Sequence, residues 1–304
     1  GGEIIVQLYD LPKPEGAWYS AENFVFHVNK THHVPLPHEQ IWMVDRDRYQ
    51  EHLAKEAESY GCEIHLSSPG RISELRKRHD TVIDASGYPS QTVREYNLCR
   101  VKEIATALYY LSSGDFSWCK NDLHMWWLPK KNLGYFWIFP KANGWKANLG
   151  IGWVHDMNGG GWKPPTFKDI DLFLDKLGVK QTMDERGGHI VPLVPLKKKR
   201  YGNVLLVGDA AGLMNSTLAA GNHLAASSGR IAGSLAAQGR ASEYESALMQ
   251  VIGAELRNSQ ILYRMQKRLG FDSFDKYFPV MGKVGPKIMF TWRGLVEAGL
   301  RYLL

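Results

Sequence analysis

The run Asn203-Val-Leu-Leu-Val207, followed at once by Gly208-Asp209-Ala-Ala-Gly212, constrains the fold more than any other part of the chain. Consecutive apolar residues ending on a turn signal are the pattern of a strand buried on both faces, as in a parallel sheet. The Ala- and Gly-rich stretch that follows reads as a helix, so the segment predicts strand, turn, helix and an α/β class. Main-chain N–H groups at such a turn attract phosphate oxygens, and a carboxylate at Asp209 can accept hydrogen bonds from sugar hydroxyls. Asp209 can equally serve as an N-cap. Gly221, Gly229 and Gly233 fall inside the expected helix, where each costs about 1 kcal/mol relative to Ala. Close packing of the backbone, or its close approach to a cofactor, would offset that cost.

The remaining pattern builds a mixed architecture around this unit. Glu3 to Tyr9 reads as a strand, and Asp45 to Gly61 as a helix with a capping-box-like start at Asp47 and Gln50 and one face of Tyr49, Leu53, Ala57 and Tyr60. A short strand over Cys62 to Leu66 is expected next. Thr81 to Gly87 is a buried strand ending in a tight turn before Pro89. Runs between Arg100 and Val154, including Tyr135 to Phe139 and Lys146 to Trp153, predict an inserted antiparallel sheet. Gly159-Gly160-Gly161 and Pro164-Pro165 break the chain before a helix at Phe167 to Leu177. The chain from about Ser242 is helical in pattern, and Met289, Trp292, Val296, Leu300 and Leu303 share one face near its end.

Composition narrows the function classes. With 304 residues and 44% apolar side chains the chain can bury a sizeable core of about two domains. The net charge of +6 suits an anionic partner, but the densest basic run, Lys197 to Arg200, leads into a strand and reads as a solvated turn. There is no zinc-finger spacing or recognition-helix signature, so nucleic acid is not expected as a partner. Cys62, Cys99 and Cys119 are scattered, which fits a reducing, cytoplasmic compartment. No run is long enough to span a bilayer, so any membrane contact is peripheral. His32, His33 and His38 read as a surface loop, and no metal site or nucleophile is expected.

Residues 203 to 233 resemble the second flavin-binding motif of the geranylgeranyl reductase family, within the p-hydroxybenzoate-hydroxylase-like flavoproteins. The family form is GDAAG, a Pro, a Gly-Glu-Gly turn and a Ser-Gly helix. Gly208, Asp209, Ala210, Ala211, Gly212, Asn215, Gly221, Ser228 and Gly229 fall on that pattern; Ser216 stands for the Pro, and Ala219 and Ala220 for the first Gly and the Glu. Tyr135-Phe-Trp-Ile-Phe-Pro-Lys141 with Ala147-Asn-Leu-Gly-Ile-Gly152 resembles the family's YxWxFPK stretch and its following strand. Val44-Asp-Arg46 resembles its flavin-contacting Arg segment, and Ile83-Asp-Ala-Ser-Gly87 its nucleotide-side turn.

The resemblance implies a truncated Rossmann-like FAD-binding domain with an inserted antiparallel substrate sheet and a helical C-terminal segment. Its divisions are 1–99 and 196–240 for the FAD-binding parts, 100–195 for the substrate sheet and 241–304 for the helices. It implies FAD contacts at Arg46, Gly208, Asp209, Ala210, Ala211, Gly212, Gly221 and Asn222, and a substrate pocket at Tyr135, Trp137, Phe139 and Pro140. The aromatic run can also be plain sheet core, and Arg46 a helix-flanking surface residue. The implied reaction is saturation of C=C bonds in a geranylgeranyl chain on a diphosphate, lipid or chlorin, with an isoprenoid or prenyl-lipid substrate and a separate electron donor. The first GxGxxG turn of such proteins is missing, so some tens of residues are expected upstream. A non-catalytic lipid-binding remnant without FAD, and another flavoprotein such as a monooxygenase or halogenase, are the alternatives.

Overall fold

The computed structural model describes residues 3–98, 103–128, 133–156 and 165–269. The first stretch carries strands β1 (Ile4–Val6), β2 (Ala17–Ser20), β3 (Asn23–His27), β4 (Thr31–Pro35) and β5 (Ile41–Val44), then helices α1 (Arg46–Ser59) and α2 (Ile72–Arg78). Strand β6 (Val82–Asp84) and helix α3 (Gln91–Glu95) follow. Four strands, β7 (Glu103–Gly114), β8 (Leu123–Trp127), β9 (Gly134–Lys141) and β10 (Lys146–Asp156), lead to α4 (Phe167–Leu177) and β11 (Gln181–Pro192). The chain closes through β12 (Arg200–Tyr201), β13 (Val204–Leu206), α5 (Asn222–Ala237) and α6 (Tyr244–Leu269). Gly159-Gly160-Gly161, Cys99 and the apolar face expected at 289–303 lie outside the described residues.

Strand β13 is fully buried and pairs in parallel with β6, Val204 opposite Val82 and Leu206 opposite Asp84. This is the parallel pair that the apolar run predicts. The turn after β13 is a short 3-10 segment, Gly208–Ala211, and α5 begins only at Asn222. Asp209 is therefore no cap of α5; its N-cap is Gly221, which lies at the start of the helix rather than inside it. Helix α6 covers the pair: Tyr244, Leu248, Ile252 and Leu256 repeat every fourth residue and are buried against Val204, Leu206 and Leu224. The Tyr244 hydroxyl donates to the Leu206 carbonyl at 2.8 Å.

The seven-stranded sheet runs β11-β7-β10-β9-β8-β3-β4. Its neighbours are antiparallel except β3 and β8, and it draws β3 and β4 from before residue 100. Helix α4 packs Ile170 and Leu174 on one face of it, and its start is fixed by the Thr166 N–H donating to Asp169 Oδ2 at 2.7 Å. A small antiparallel sheet, β1-β5-β2, adjoins this body. It is tied down by a nearly buried ion pair between Glu3 and Lys141, 2.5 Å apart at the end of β9.

Several local expectations change. The cap of α1 is Asp45, whose carboxylate accepts from the Arg48 N–H, because Asp45 is the last extended residue. Of the expected α1 face only Tyr49 meets a core cluster; Leu53 and Tyr60 are exposed. Cys62 to Leu66 is exposed chain without strand pairing. His32 and His33 sit in β4, paired with Phe26 and Val25, rather than in a loop. Lys199 turns inward from the basic run: its N–H donates to Glu245 Oε1 at 2.6 Å, and burial lowers its ammonium pKa against the opposing pull of Glu245.

Candidate functional site

A cavity of about 740 Å³ opens between the seven-stranded sheet and the ends of β6 and β13. One wall is the turn after each parallel strand, Ala85 to Gly87 and Val207 to Asp209, with the start of α5 beside them. The opposite wall is aromatic, carrying Tyr109, Trp127, Tyr135 and Trp137 from β7, β8 and β9. Loop 216–220 bridges the two walls, and Arg46 stands at the cavity from the first turn of α1.

The polar wall is built by backbone geometry. Gly208 has φ +52 and its N–H donates to Ser228 Oγ at 3.0 Å; an added Cβ would stand 3.0 Å from that of Ala225, so the turn lies tight on α5. Asp209 carries a partly exposed carboxylate, with His189 Nε2 at 3.7 Å. Helix α5 starts without a side-chain cap, so its first N–H groups remain for another acceptor. Gly229 also lines the cavity, and a Cβ there would meet nothing within 4 Å. Close packing therefore does not explain Gly229, and nothing in the structure explains Gly233, which is equally uncrowded. A carboxylate, an uncapped helix start and a glycine-cleared surface fit the sugar and phosphate oxygens of a nucleotide cofactor.

The Ala85-Ser86-Gly87 turn is held by Asp84. Burial alone would raise this carboxyl, but N–H and hydroxyl donors of Ser86 and Thr92 at 2.5 to 3.0 Å outweigh it and leave Asp84 below the usual carboxylate range. Its part is to shape the turn.

The expected site residues divide cleanly. Arg46, Gly208, Asp209, Gly221 and Asn222 line the cavity, and so do Tyr135, Trp137 and Phe139. Ala210, Ala211 and Gly212 do not: the 3-10 turn rotates them into the core, where the Ala211 carbonyl accepts from Leu196 and Gly212 abuts Val194. Pro140 does not either, because alternate residues of a strand face opposite sides; its carbonyl accepts from the Tyr19 hydroxyl at 2.7 Å. Asn222 points its amide to the Ile4 carbonyl at 3.0 Å, which joins β1 to the start of α5.

The aromatic wall is braced from behind and from the loop. Trp137 Nε1 donates to the buried Asn148 Oδ1 at 2.8 Å, and Tyr135 donates its hydroxyl to the Leu218 carbonyl at 2.6 Å. Burial holds the Tyr135 phenol well above its ordinary pKa, so it stays a neutral donor. Tyr109, Trp127 and His189 escaped the sequence reading. The signal that could have found Tyr109 is the glycine opposite it: an added Cβ on Gly187 would stand 2.5 Å from the Tyr109 hydroxyl.

Ala219, which replaces the family's first turn glycine, has φ +52. The loop keeps a left-handed backbone despite the Cβ. Ala219→Gly is expected to raise stability by roughly 0.5–1 kcal/mol, the relief of left-handed strain less the added freedom of the unfolded chain. A thermal melt with the midpoint unmoved or lowered would count against that strain.

Among the described residues no group of three or more His, Cys, Asp or Glu converges as a metal site, and no helix is long and apolar enough to cross a membrane. No family model matches the chain. Curated relatives include a digeranylgeranylglycerophospholipid reductase of Thermoplasma acidophilum, 27% identical over 240 residues, 69% of this chain and 58% of the relative. A digeranylgeranylglycerophospholipid reductase 2 of Methanothermobacter thermautotrophicus is 30% identical over 151 residues, 47% of this chain and 38% of the relative. The chain thus spans about half the length, 38 to 58%, of these two relatives. Among solved structures, a geranylgeranyl bacteriochlorophyll reductase-like protein from Thermoplasma acidophilum superposes with a TM-score of 0.78 at 18% identity, covering 98% of this chain and 85% of that one. The flavin-dependent brominase Bmp2, as a triple mutant, shares the fold more loosely, with a TM-score of 0.61 at 14% identity over 94% and 83% of the two chains. Relatives and fold agree with the motifs around Asp209 and Tyr135: the chain is similar in sequence to digeranylgeranylglycerophospholipid reductases and shares the fold of a geranylgeranyl bacteriochlorophyll reductase-like protein.

Proposed function

We propose that this chain carries the flavin-facing and prenyl-facing walls of an FAD-dependent reductase that saturates C=C bonds of a geranylgeranyl chain. The observation that carries the reading is one continuous cavity with Asp209 and the uncapped start of α5 on one side and Tyr109, Trp127, Tyr135 and Trp137 on the other. The names of the relatives favour a glycerophospholipid-linked chain over a free diphosphate or a chlorin.

In this reading segments 1–99 and 196–240 form the cofactor side, with β3 and β4 lent to the substrate sheet of 100–195, and α6 backs the cofactor side. Asp209 accepts from cofactor hydroxyls, while the N–H groups at the start of α5 and the turn at Gly208 receive cofactor oxygens. Arg46 offers a guanidinium to phosphate or sugar. The chemistry that the flavin supplies when bound is hydride delivery to one alkene carbon, with a proton reaching the other. The aromatic wall excludes water and aligns the apolar chain; the Tyr135–Leu218 hydrogen bond fixes where that wall ends. The electron donor is a separate partner, and contact with lipid is at the membrane surface.

FAD titration followed by visible absorbance, then incubation of the reduced holoprotein with digeranylgeranylglycerophospholipid, tests the reading. The expected product gains two hydrogen atoms in mass per double bond. Asp209→Ala is expected to weaken FAD binding about tenfold or more, the worth of hydrogen bonds to a charged acceptor. Tight FAD binding without any mass gain would overturn the proposal.

A further inference from the structure

Behind loop 216–220 lies a polar cluster that the proposed chemistry does not touch. Glu255 of α6 is fully buried and receives three donors from three different segments. The Tyr9 hydroxyl donates to Oε2 at 2.6 Å, and Asn215 Nδ2 and His223 Nε2 meet Oε1 at 2.9 and 2.8 Å. Asn215 and His223 are themselves buried. Burying a carboxylate is costly, and this one sits where donors converge from the β1 exit, the loop and the second residue of α5.

Asn215 carries the consequence into the cavity. Its side-chain oxygen accepts from the N–H groups of Thr217 and Leu218 at 3.2 and 3.4 Å, and its own N–H donates to the Ala220 carbonyl at 2.9 Å. It is the inner strut of the loop. The amide of Asn215 has one orientation that serves the loop, oxygen inward and NH₂ outward, and the outward NH₂ needs an acceptor. Glu255 is that acceptor. With no acceptor at 255 the amide is free to flip, which would aim its NH₂ at two N–H donors and remove the strut.

We infer that Glu255 is a positioning residue that sets the cavity-facing loop 216–220 by holding the Asn215 amide in one orientation. Every residue of that loop lines the cavity, and Leu218 takes the hydrogen bond from Tyr135, so the setting reaches the aromatic wall. The consequence for cofactor and prenyl chain rests on the reductase reading; control of the loop does not.

Hydrogen exchange of the ligand-free protein, read by mass spectrometry on peptides, separates the two. In Glu255→Met the peptide spanning 213–221 is expected to exchange about tenfold faster, from loss of two or so hydrogen bonds' worth of local protection, with 204–207 and 228–237 changed little. Glu255→Gln should exchange as the parent does, since its carbonyl can face Asn215 and His223 and its NH₂ can donate to the Tyr9 oxygen. Asn215→Ala removes the strut from the loop side and should match Glu255→Met, which keeps the test alive if the methionine variant fails to fold. Unchanged exchange over 213–221 in the variants lacking the carboxylate or the amide overturns the inference. So does an equal rise in every peptide, or a glutamine variant as loose as the methionine one. Because no flavin or prenyl ligand is present, none of these results depends on whether the protein is a reductase.

Discussion

Gly150→Val is expected to cost about 3 kcal/mol of stability, at the upper end of overpacking penalties, and to push the Trp137 indole out of the cavity wall. Gly150 lies opposite Trp137 in the β9–β10 register. A Cβ there would press on the Leu108 carbonyl and stand 2.5 Å from Trp137 Cζ2. The indole can escape only by giving up its bond to Asn148 Oδ1, which would leave a buried amide oxygen unsatisfied. Urea unfolding measures the stability, and quenching of tryptophan emission by geranylgeranyl diphosphate measures the pocket. A variant as stable as the parent with undiminished quenching would show that the indole does not lie on this glycine bed. The same contact explains why the family's strand after YxWxFPK carries glycines here: Gly150 and Gly152 both face the ring of Trp137.

Lys141→Met should cost more, about 3–5 kcal/mol, because it strands Glu3 as a buried, unpaired carboxylate. The pair is 13% and 9% exposed on its two sides, and Glu3 Oε2 already lacks a hydrogen-bond partner among the described residues. Replacing both members, Lys141→Met with Glu3→Leu, is expected to recover most of that loss, since removing two buried charges together avoids the desolvation penalty. Chemical denaturation of the single and double variants decides it. If the double variant is as unstable as the single one, the ion pair itself, and not the stranded charge, fastens β1 and β5 to the end of β9.

What could be read in advance followed local rules. The strand at Val204–Leu206 showed in an apolar run, and α4 ran from Phe167 to Leu177 as its amphipathic pattern and the glycine after it require. Gly208 and Asp209 face the cavity because they open the 3-10 turn just past a buried strand, whereas Ala210, Ala211 and the capping Gly212 turn away. That turn packs Gly212, at φ +71, against the Val194 carbonyl of the segment that leads into β12, a contact no local pattern announces. Pro140 could have been removed from the pocket by strand parity alone. Which strands adjoin could not: β3 lies beside β8 through a parallel pairing across nearly a hundred intervening residues, and so Trp127 of β8 enters the wall without local warning. Glu255 looks, in sequence, like one more polar residue of α6, and only the meeting of three separate segments makes it a buried acceptor.

The parallel pair of β6 and β13 also governs how the protein can assemble. Residues 85–203 leave one strand and return to its neighbour, so the pair closes a loop that contains most of the seven-stranded sheet. Closing a long loop adds only about 0.6 kcal/mol per doubling of its length, but contacts so distant in sequence slow folding steeply. Hairpins such as β9–β10 are local and can form early, whereas the cavity has one wall on each side of the closure and exists only once both are docked. A molecule held between those walls then acts as a clasp on the finished fold, adding stability in proportion to the logarithm of its concentration over its dissociation constant.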